Sequence, residues 1–260
     1  TSRQIADYEA AGVKPVVRLA VPTEGVTAFD DLLRGHIVVE NSQLDDLVLL
    51  KSDGFPTYHL AVVLDDHLMA ITHVLRGDEW LSSAPKHVLL YQAFGWEMPI
   101  QVHLPLILDP SGKGKLSKRK KTLPDGRQLY TYIHDFRQAG YLPEALVNFL
   151  ALVGWSYDGQ TEFLSRDQLI GAFTLEKLNK SPAALSYDKL DHMNAAYVRS
   201  LGLNDLAGRL LWMMLQKGVE TDFDTALRIA PLINERIKTL NEALSWVDFL
   251  FSDEIAVGGG

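Results

Sequence analysis

The sequence predicts an α/β fold that gives way to a mainly helical region. Up to about residue 110, short apolar segments rich in β-branched residues alternate with turns, and one helical stretch stands between two of them. Strand, helix, strand and basic loop, in that order, describe a nucleotide-binding sheet whose ligands sit at the carboxyl ends of its strands. After residue 120 the pattern changes to amphipathic stripes bounded by Ser, Asn, Pro and Gly.

Residues 16–21 and 36–40 read as strands, and residues 29–35 as the turn joining them, which makes a small, mostly antiparallel unit. Residues 58–64 are largely apolar and suit a strand buried on both faces, although a run this short also fits a helix. Residues 71–75 form the next strand. Ser82 and Ser83 offer an N-cap, and Pro85 fits the first turn of a helix. Val88, Leu89, Tyr91 and Phe94 carry its apolar face, and Gly95 ends it. Residues 100–108 supply a further strand.

Farther along, residues 143–153 form a helix ending at Gly154. Ser165 caps a helix carrying Leu169, Ile170 and Phe173. Asn204 caps another carrying Leu206, Leu210, Leu211 and Met214, with Gly218 at its end. Residues 225–251 are helical again, broken or kinked at Pro231. These stripes read as core.

With 260 residues, 47% of them hydrophobic and 22% charged, the chain can bury a sizeable core in more than one module. No apolar run approaches the roughly 20 residues of a membrane span. Cysteine is absent, which excludes disulfides and thiolate metal sites. A net charge of −8 argues against a general nucleic-acid coat, yet local basic clusters on an acidic body can steer one polyanion.

The densest such cluster is residues 113–121, where six of nine are cationic. It follows the turn-rich Asp109-Pro-Ser-Gly112. Ammonium groups and glycine-flanked backbone N–H groups can hold a polyphosphate here, though a solvated basic loop has the same charge. No Gly-Lys is followed directly by Ser or Thr, so this is not a P-loop. Arg76 follows an apolar strand and suits either bidentate capture of a carboxylate or a structural ion pair. Tyr58 suits a substrate contact or a core position. His59, His67, His73 and His103 show no metal-ligand spacing, so no protein-bound metal is expected.

Lys115-Leu-Ser-Lys-Arg119 resembles the lysine-serine-lysine signature of class I aminoacyl-tRNA synthetases. Asp53-Gly-Phe-Pro-Thr-Tyr58, Asp65-Asp66 and Ile71-Thr-His-Val-Leu-Arg76-Gly-Asp-Glu79 are similar to parts of bacterial-type glutamyl-tRNA synthetase. So are Gly140-Tyr-Leu-Pro-Glu-Ala-Leu-Val-Asn-Phe-Leu150 and Gly154-Trp155-Ser156. The motifs stand in one order with compatible spacing, from about Val17 to at least Tyr197.

The resemblance implies the second half of a Rossmann-like catalytic domain at residues 53–110, preceded at 1–52 by part of an acceptor-binding insertion. It implies a signature loop and helical stem-contact domain at 111–202, and the start of a helical anticodon-binding region at 203–260. The implied enzyme is a glutamate–tRNA ligase. It activates glutamate with ATP, as the Mg2+ complex, and passes the acyl group to tRNA(Glu).

By the same resemblance, Lys118 and Lys115 are the catalytic phosphate contacts, and Ser117, Glu79, Trp80 and Leu81 complete the ATP site. Tyr58 and Arg76 hold glutamate, Arg76 selecting it over glutamine. Val62 stands where some members carry asparagine. Arg18, Arg34 and Arg119 are implied tRNA contacts. The expected form is a monomer away from membranes, in a bacterial cytoplasm or an organellar matrix. No His-Ile-Gly-His-like tetrapeptide is present. The resemblance therefore also implies an internal portion of such an enzyme, expected not to make adenylate by itself. The alternatives are a non-catalytic tRNA-binding or assembly fragment of the same family and a glutaminyl-type relative.

Overall fold

The computed structural model describes residues 1–117, 122, 126 and 128–251. The chain divides into two compact units, Thr1–Pro105 and Leu106–Gly260.

In the first unit, α1 (Ser2–Ala10) precedes β1 (Val17–Arg18), β2 (Val26–Asp31), β3 (Gly35–Glu40) and β4 (Val48–Leu50). Then come α2 (Tyr58–Leu68), β5 (His73–Gly77), α3 (Ala84–Phe94) and β6 (Ile100–Leu104). The main sheet has the order β3-β2-β6-β5. β2 and β3 form an antiparallel hairpin, while β6 runs parallel to both β2 and β5. β5, α3 and β6 make a strand–helix–strand crossover. Gln101, Val102 and His103 are all buried, as befits a strand covered on both faces.

Several expectations shift. The turn expected at residues 29–35 is shorter, because Thr27, Phe29 and Asp31 point inward with period two and complete β2. The Asp31 carboxylate closes the turn by accepting the N–H groups of Leu33 and Arg34 at 3.0 and 2.9 Å. The strand expected at 16–21 shrinks to β1, because Val21 donates its N–H to the Asp46 carboxylate instead of a ladder partner.

The apolar run at 58–64 is the helix α2. Val63 alone is fully buried, packed with Leu19, Leu49, Leu90 and Tyr91, and the polar residues 65–67 continue the helix. α2 ends in a Schellman motif: Ala70 (φ 54°) donates to the His67 carbonyl at 3.1 Å, and Ile71 to the Asp66 carbonyl at 2.9 Å. That cap occupies residues 69–71, so β5 starts at His73 rather than at 71. In α3, Pro85 lies in the first turn and Gly95 ends the helix at φ 68°, as expected. Ser83 makes no capping bond, because the 3₁₀ segment Asp78–Ser83 runs directly into α3.

The second unit begins with β7 (Ile107–Leu108). The strand expected at 100–108 is thus interrupted at Pro105, whose ring removes a backbone donor. Its helices are α4 (Ile133–Gln138), α5 (Pro143–Gly154) and α6 (Arg166–Ala172). β8 (Ala183–Ala184) then pairs parallel with β7. α7 (Tyr187–Ser200), α8 (Leu203–Gln216), α9 (Phe223–Ile233) and α10 (Glu242–Val247) follow.

Ser165 and Gln168 form the capping box of α6, but Ile170 is 67% exposed and Phe173 about half exposed, so this short helix buries none of its own side chains. α8 starts after Gly202, not at Asn204. The helical stretch expected at 225–251 is interrupted close to Pro231: α9 ends at Ile233 and α10 begins at Glu242. Pro231 itself lies inside α9, two residues from its end, where a missing donor costs one bond of the last turn.

The largest apolar core joins Leu142 to Val198, Leu206, Leu210, Met214, Ile229 and Ile237. Gly140 (φ 85°) accepts the Leu240 N–H at 2.9 Å, and a Cβ there would stand 2.5 Å from the Asn241 nitrogen. Two fully buried amides pin the helices: Asn194 accepts from the Leu142 N–H, and Asn148 from the Leu164 N–H and the Tyr197 hydroxyl.

Candidate active site

Arg76 is the register partner of His103 across β5 and β6, so the two side chains leave the sheet on the same face. Its Nε donates to His103 Nε2 at 3.3 Å, and its Nη2 donates to His87 Nδ1 at 3.1 Å. An arginine carries only donors, so both imidazole nitrogens must be acceptors. The other nitrogen of His103 faces Asp31 at 2.7 Å, and Asp31 also accepts the His103 backbone N–H at 3.0 Å. His87 Nε2 lies 2.9 Å from His59 Nδ1 and is the donor of that pair. A continuous chain thus runs Asp31–His103–Arg76–His87–His59.

Burial drives the His87 imidazole down to about 3, helped by the charge of Arg76, and lowers His59 in the same direction. Among the described residues, no carboxylate pairs with Arg76. The structural ion pair therefore drops out, and an anion can occupy the remaining edge of the guanidinium.

Tyr58, at the first turn of α2, sets its ring 4.8 Å from that of Trp80, and the Arg76 guanidinium lies 6.0 Å from the Trp80 ring. Tyr58 is 49% exposed, so it lines a surface and is not core. Arg34 clamps Asp78 through two bonds, Nε to Oδ1 at 3.0 Å and Nη2 to Oδ2 at 2.5 Å, which fixes the start of the 3₁₀ segment carrying Trp80. The Glu79 carboxylate folds over Gly77, where a Cβ would collide with it. Leu81 packs against Phe29, Ala84 and Val88 and so anchors that segment.

In the other unit, Asp109 organises the basic loop. Its carboxylate accepts from the Ser111 N–H and hydroxyl, its N–H donates to the Gly114 carbonyl at 2.7 Å, and Gly112 takes φ 71°. Lys115 bridges Leu108, and Leu116 inserts among Leu129, Phe136 and Tyr187. Lys115 and Ser117 therefore stand on an anchored backbone. Lys118 and Arg119 lie outside the described residues.

Of the expected residues, Tyr58, Arg76, Trp80 and Glu79 converge in the first unit, with Leu81 behind them. Arg34 joins through Asp78. Arg18 stands apart and donates to the Asp46 carbonyl at 2.8 Å. Sequence reasoning missed Asp31, His87 and the role of His103. His87 had a signal: it falls in the buried stripe Ala84, Val88, Tyr91, where a polar residue needs a partner.

The sequence matches the family described as tRNA synthetases class I (E and Q), catalytic domain, over residues 1–192. A glutamate–tRNA ligase of Dehalococcoides mccartyi (strain CBDB1) is 49% identical over 247 residues, 93% of this chain and 49% of that protein. One from Chloroflexus aurantiacus is 49% identical over 256 residues, 95% of this chain and 49% of that protein. The crystal structure of a glutamate tRNA ligase from Elizabethkingia meningosepticum CCUG26117, in complex with its amino acid, aligns with a TM-score of 0.84 at 35% identity. It covers 97% of this chain and 52% of that one.

The chain belongs to the class I tRNA synthetase family of the E and Q type, and its mixed α/β fold is the Rossmann-like fold of that class. It spans about half the length of the curated relatives it matches.

Proposed function

We propose that the protein containing this chain is a glutamate–tRNA ligase. It joins the glutamate α-carboxylate to the α-phosphate of ATP, releasing pyrophosphate, and then passes the glutamyl group to the terminal adenosine hydroxyl of tRNA(Glu). The observation that carries the reading is Arg76: a guanidinium held by two neutral acceptors, beside the Tyr58–Trp80 wall, with no carboxylate partner among the described residues. Such a group takes a side-chain carboxylate in a two-point contact. A glutaminyl-type substrate would present an NH2 to an all-donor edge, so Arg76 favours glutamate within a family that spans E and Q.

Tyr58 orients the amino acid. Glu79 and Trp80, braced by Leu81, line the nucleotide. Lys115, Ser117 and Lys118 follow the phosphates of ATP, which arrives as its Mg2+ complex. Catalysis is positioning plus charge stabilisation, with no covalent intermediate on the enzyme. tRNA meets residues 1–52 of the acceptor-binding insertion through Arg18 and Arg34, the signature region 111–202 through Arg119, and the helices from 203 onward. Residues 53–110 carry the second half of the catalytic domain. The protein works as a monomer in the cytoplasm.

The test is pyrophosphate exchange by the complete ligase carrying Arg76→Ala or Lys118→Ala. Arg76→Ala raises KM for glutamate by roughly 100-fold and erodes preference over glutamine. Lys118→Ala lowers the maximal rate by roughly 100- to 1,000-fold at saturating glutamate. An Arg76→Ala enzyme that kept its glutamate preference would refute the assignment.

A further inference from the structure

We propose that Asp31, His103 and His87 are positioning residues that aim the Arg76 guanidinium and so set the preference for a carboxylate over an amide side chain. This rests on the reading that Arg76 meets the substrate side chain.

The geometry is a sequence of forced choices. Asp31 ends β2, His103 lies on β6 and Arg76 on β5, so the three stand on adjacent strands. Asp31 is itself immobilised: one oxygen accepts two turn N–H groups, and the other accepts the backbone and the ring of His103. An ionised carboxylate only accepts, so the proton of His103 sits on Nδ1 and its Nε2 is bare toward Arg76. On the other side, Nδ1 of His87 is bare toward Arg76, and its Nε2 proton goes to His59.

The choice of imidazole matters. A carboxylate in either position would hold the guanidinium and also neutralise it. Two neutral acceptors hold it and leave its full charge for the substrate. They also consume the Nε proton and one Nη2 proton, so the substrate meets only Nη1 and the rest of Nη2. Every group on that edge donates. A carboxylate satisfies it with two oxygens, whereas an amide satisfies half and leaves its NH2 opposed to donors. Burial of His87 and His103 keeps both rings from swinging away. The low affinity of His87 for a proton works in the same direction, because a protonated ring would repel Arg76.

Two measurements test this. The first is 15N NMR of the complete ligase, labelled at histidine, near neutral pH. His103 should be protonated at Nδ1 with Nε2 bare, and His87 at Nε2 with Nδ1 bare. The opposite tautomer at either ring would overturn the proposal whatever the enzyme's activity.

The second is steady-state kinetics of the complete ligase. His87→Leu should raise KM for glutamate by about tenfold or more, with a smaller change in kcat, and narrow the glutamate-to-glutamine ratio. His87→Gln, whose amide oxygen can accept the same N–H, should restore most of both. If His87→Leu does not fold, Asp31→Asn serves, because its NH2 forces the His103 proton onto Nε2 against Arg76. Unchanged KM and ratio in these variants would overturn the proposal. The stated tautomers without any glutamate-dependent exchange by the wild-type ligase would overturn the ligase reading and the proposed role with it.

Discussion

The helical unit buries two apolar cores, one running from Leu142 through Val198, Leu210 and Ile229 to Val247 and the other around Phe136, Phe149, Leu190 and Met193. The sheet-bearing unit buries two smaller apolar clusters and, alongside them, Asp31, His87, Gln101 and His103. Buried polar groups destabilise unless hydrogen-bonded, so the first unit tolerates its histidines only because each ring nitrogen facing the interior has a partner. The second unit depends on shape and the first on protonation state. The titratable chain around Arg76 sits in the unit that buries histidines and an aspartate.

The sharpest test of shape in the helical unit is Gly140→Ala. The added Cβ would meet the Asn241 and Leu240 nitrogens at 2.5 and 2.9 Å, and φ is 85°. We expect a loss of roughly 3–5 kcal/mol in denaturant unfolding. A loss below about 1 kcal/mol would show that the 240 segment moves aside readily, and that this unit is less dependent on close packing than it looks.

Protonation should weaken the other unit. An ordinary histidine titrates near 6.5, whereas native His87 titrates at about 3. Between those values the unfolded chain binds a proton that the native chain refuses. Stability is therefore unaffected above pH 6.5 and falls as pH drops through the window. His59, lowered as well, adds in the same direction. Compared with His87→Gln, the wild-type chain should lose about 1 kcal/mol more between pH 7.5 and 5.5. Parallel pH profiles for the two would mean that His87 is accessible to protons in the native state.

The smallest expected effect belongs to the cap of α2. Ala70 holds φ 54°, a conformation that glycine adopts without a Cβ penalty. Ala70→Gly should raise stability by roughly 0.5–1 kcal/mol, read as a higher Tm. A decrease would mean that the entropy of the unfolded glycine outweighs the relief of strain.

The two regions also differed in legibility. Pro143, Gly154 and Ser165 mark helix ends by local chemistry, and the structure places ends there. Tyr58, Arg76 and Trp80 are singled out by the ordered motifs they stand in or beside, and the structure sets the three side by side. α2 was harder: Tyr58-His-Leu-Ala-Val-Val-Leu64 is apolar at nearly every position, so it has no period to read, and only its packing against Leu90 and Tyr91 decides. The Asp31–His103–Arg76–His87 chain joins four segments that only the sheet brings together. No spacing in the sequence encodes it.

One contact in the helical unit has a consequence for synthesis. The Asn241 side chain reaches the Gln138 carbonyl across 103 residues, and Leu240 closes on Gly140 beside it. At elongation rates of roughly 5–20 residues per second, about 5–20 s separate the emergence of these two segments from the ribosome. For that interval Leu142 and Ala145 lack the partners at 229–247 that complete their core. The nascent chain thus carries a half-built apolar surface until nearly all of the described residues have been made, a period in which a holding chaperone has something to bind.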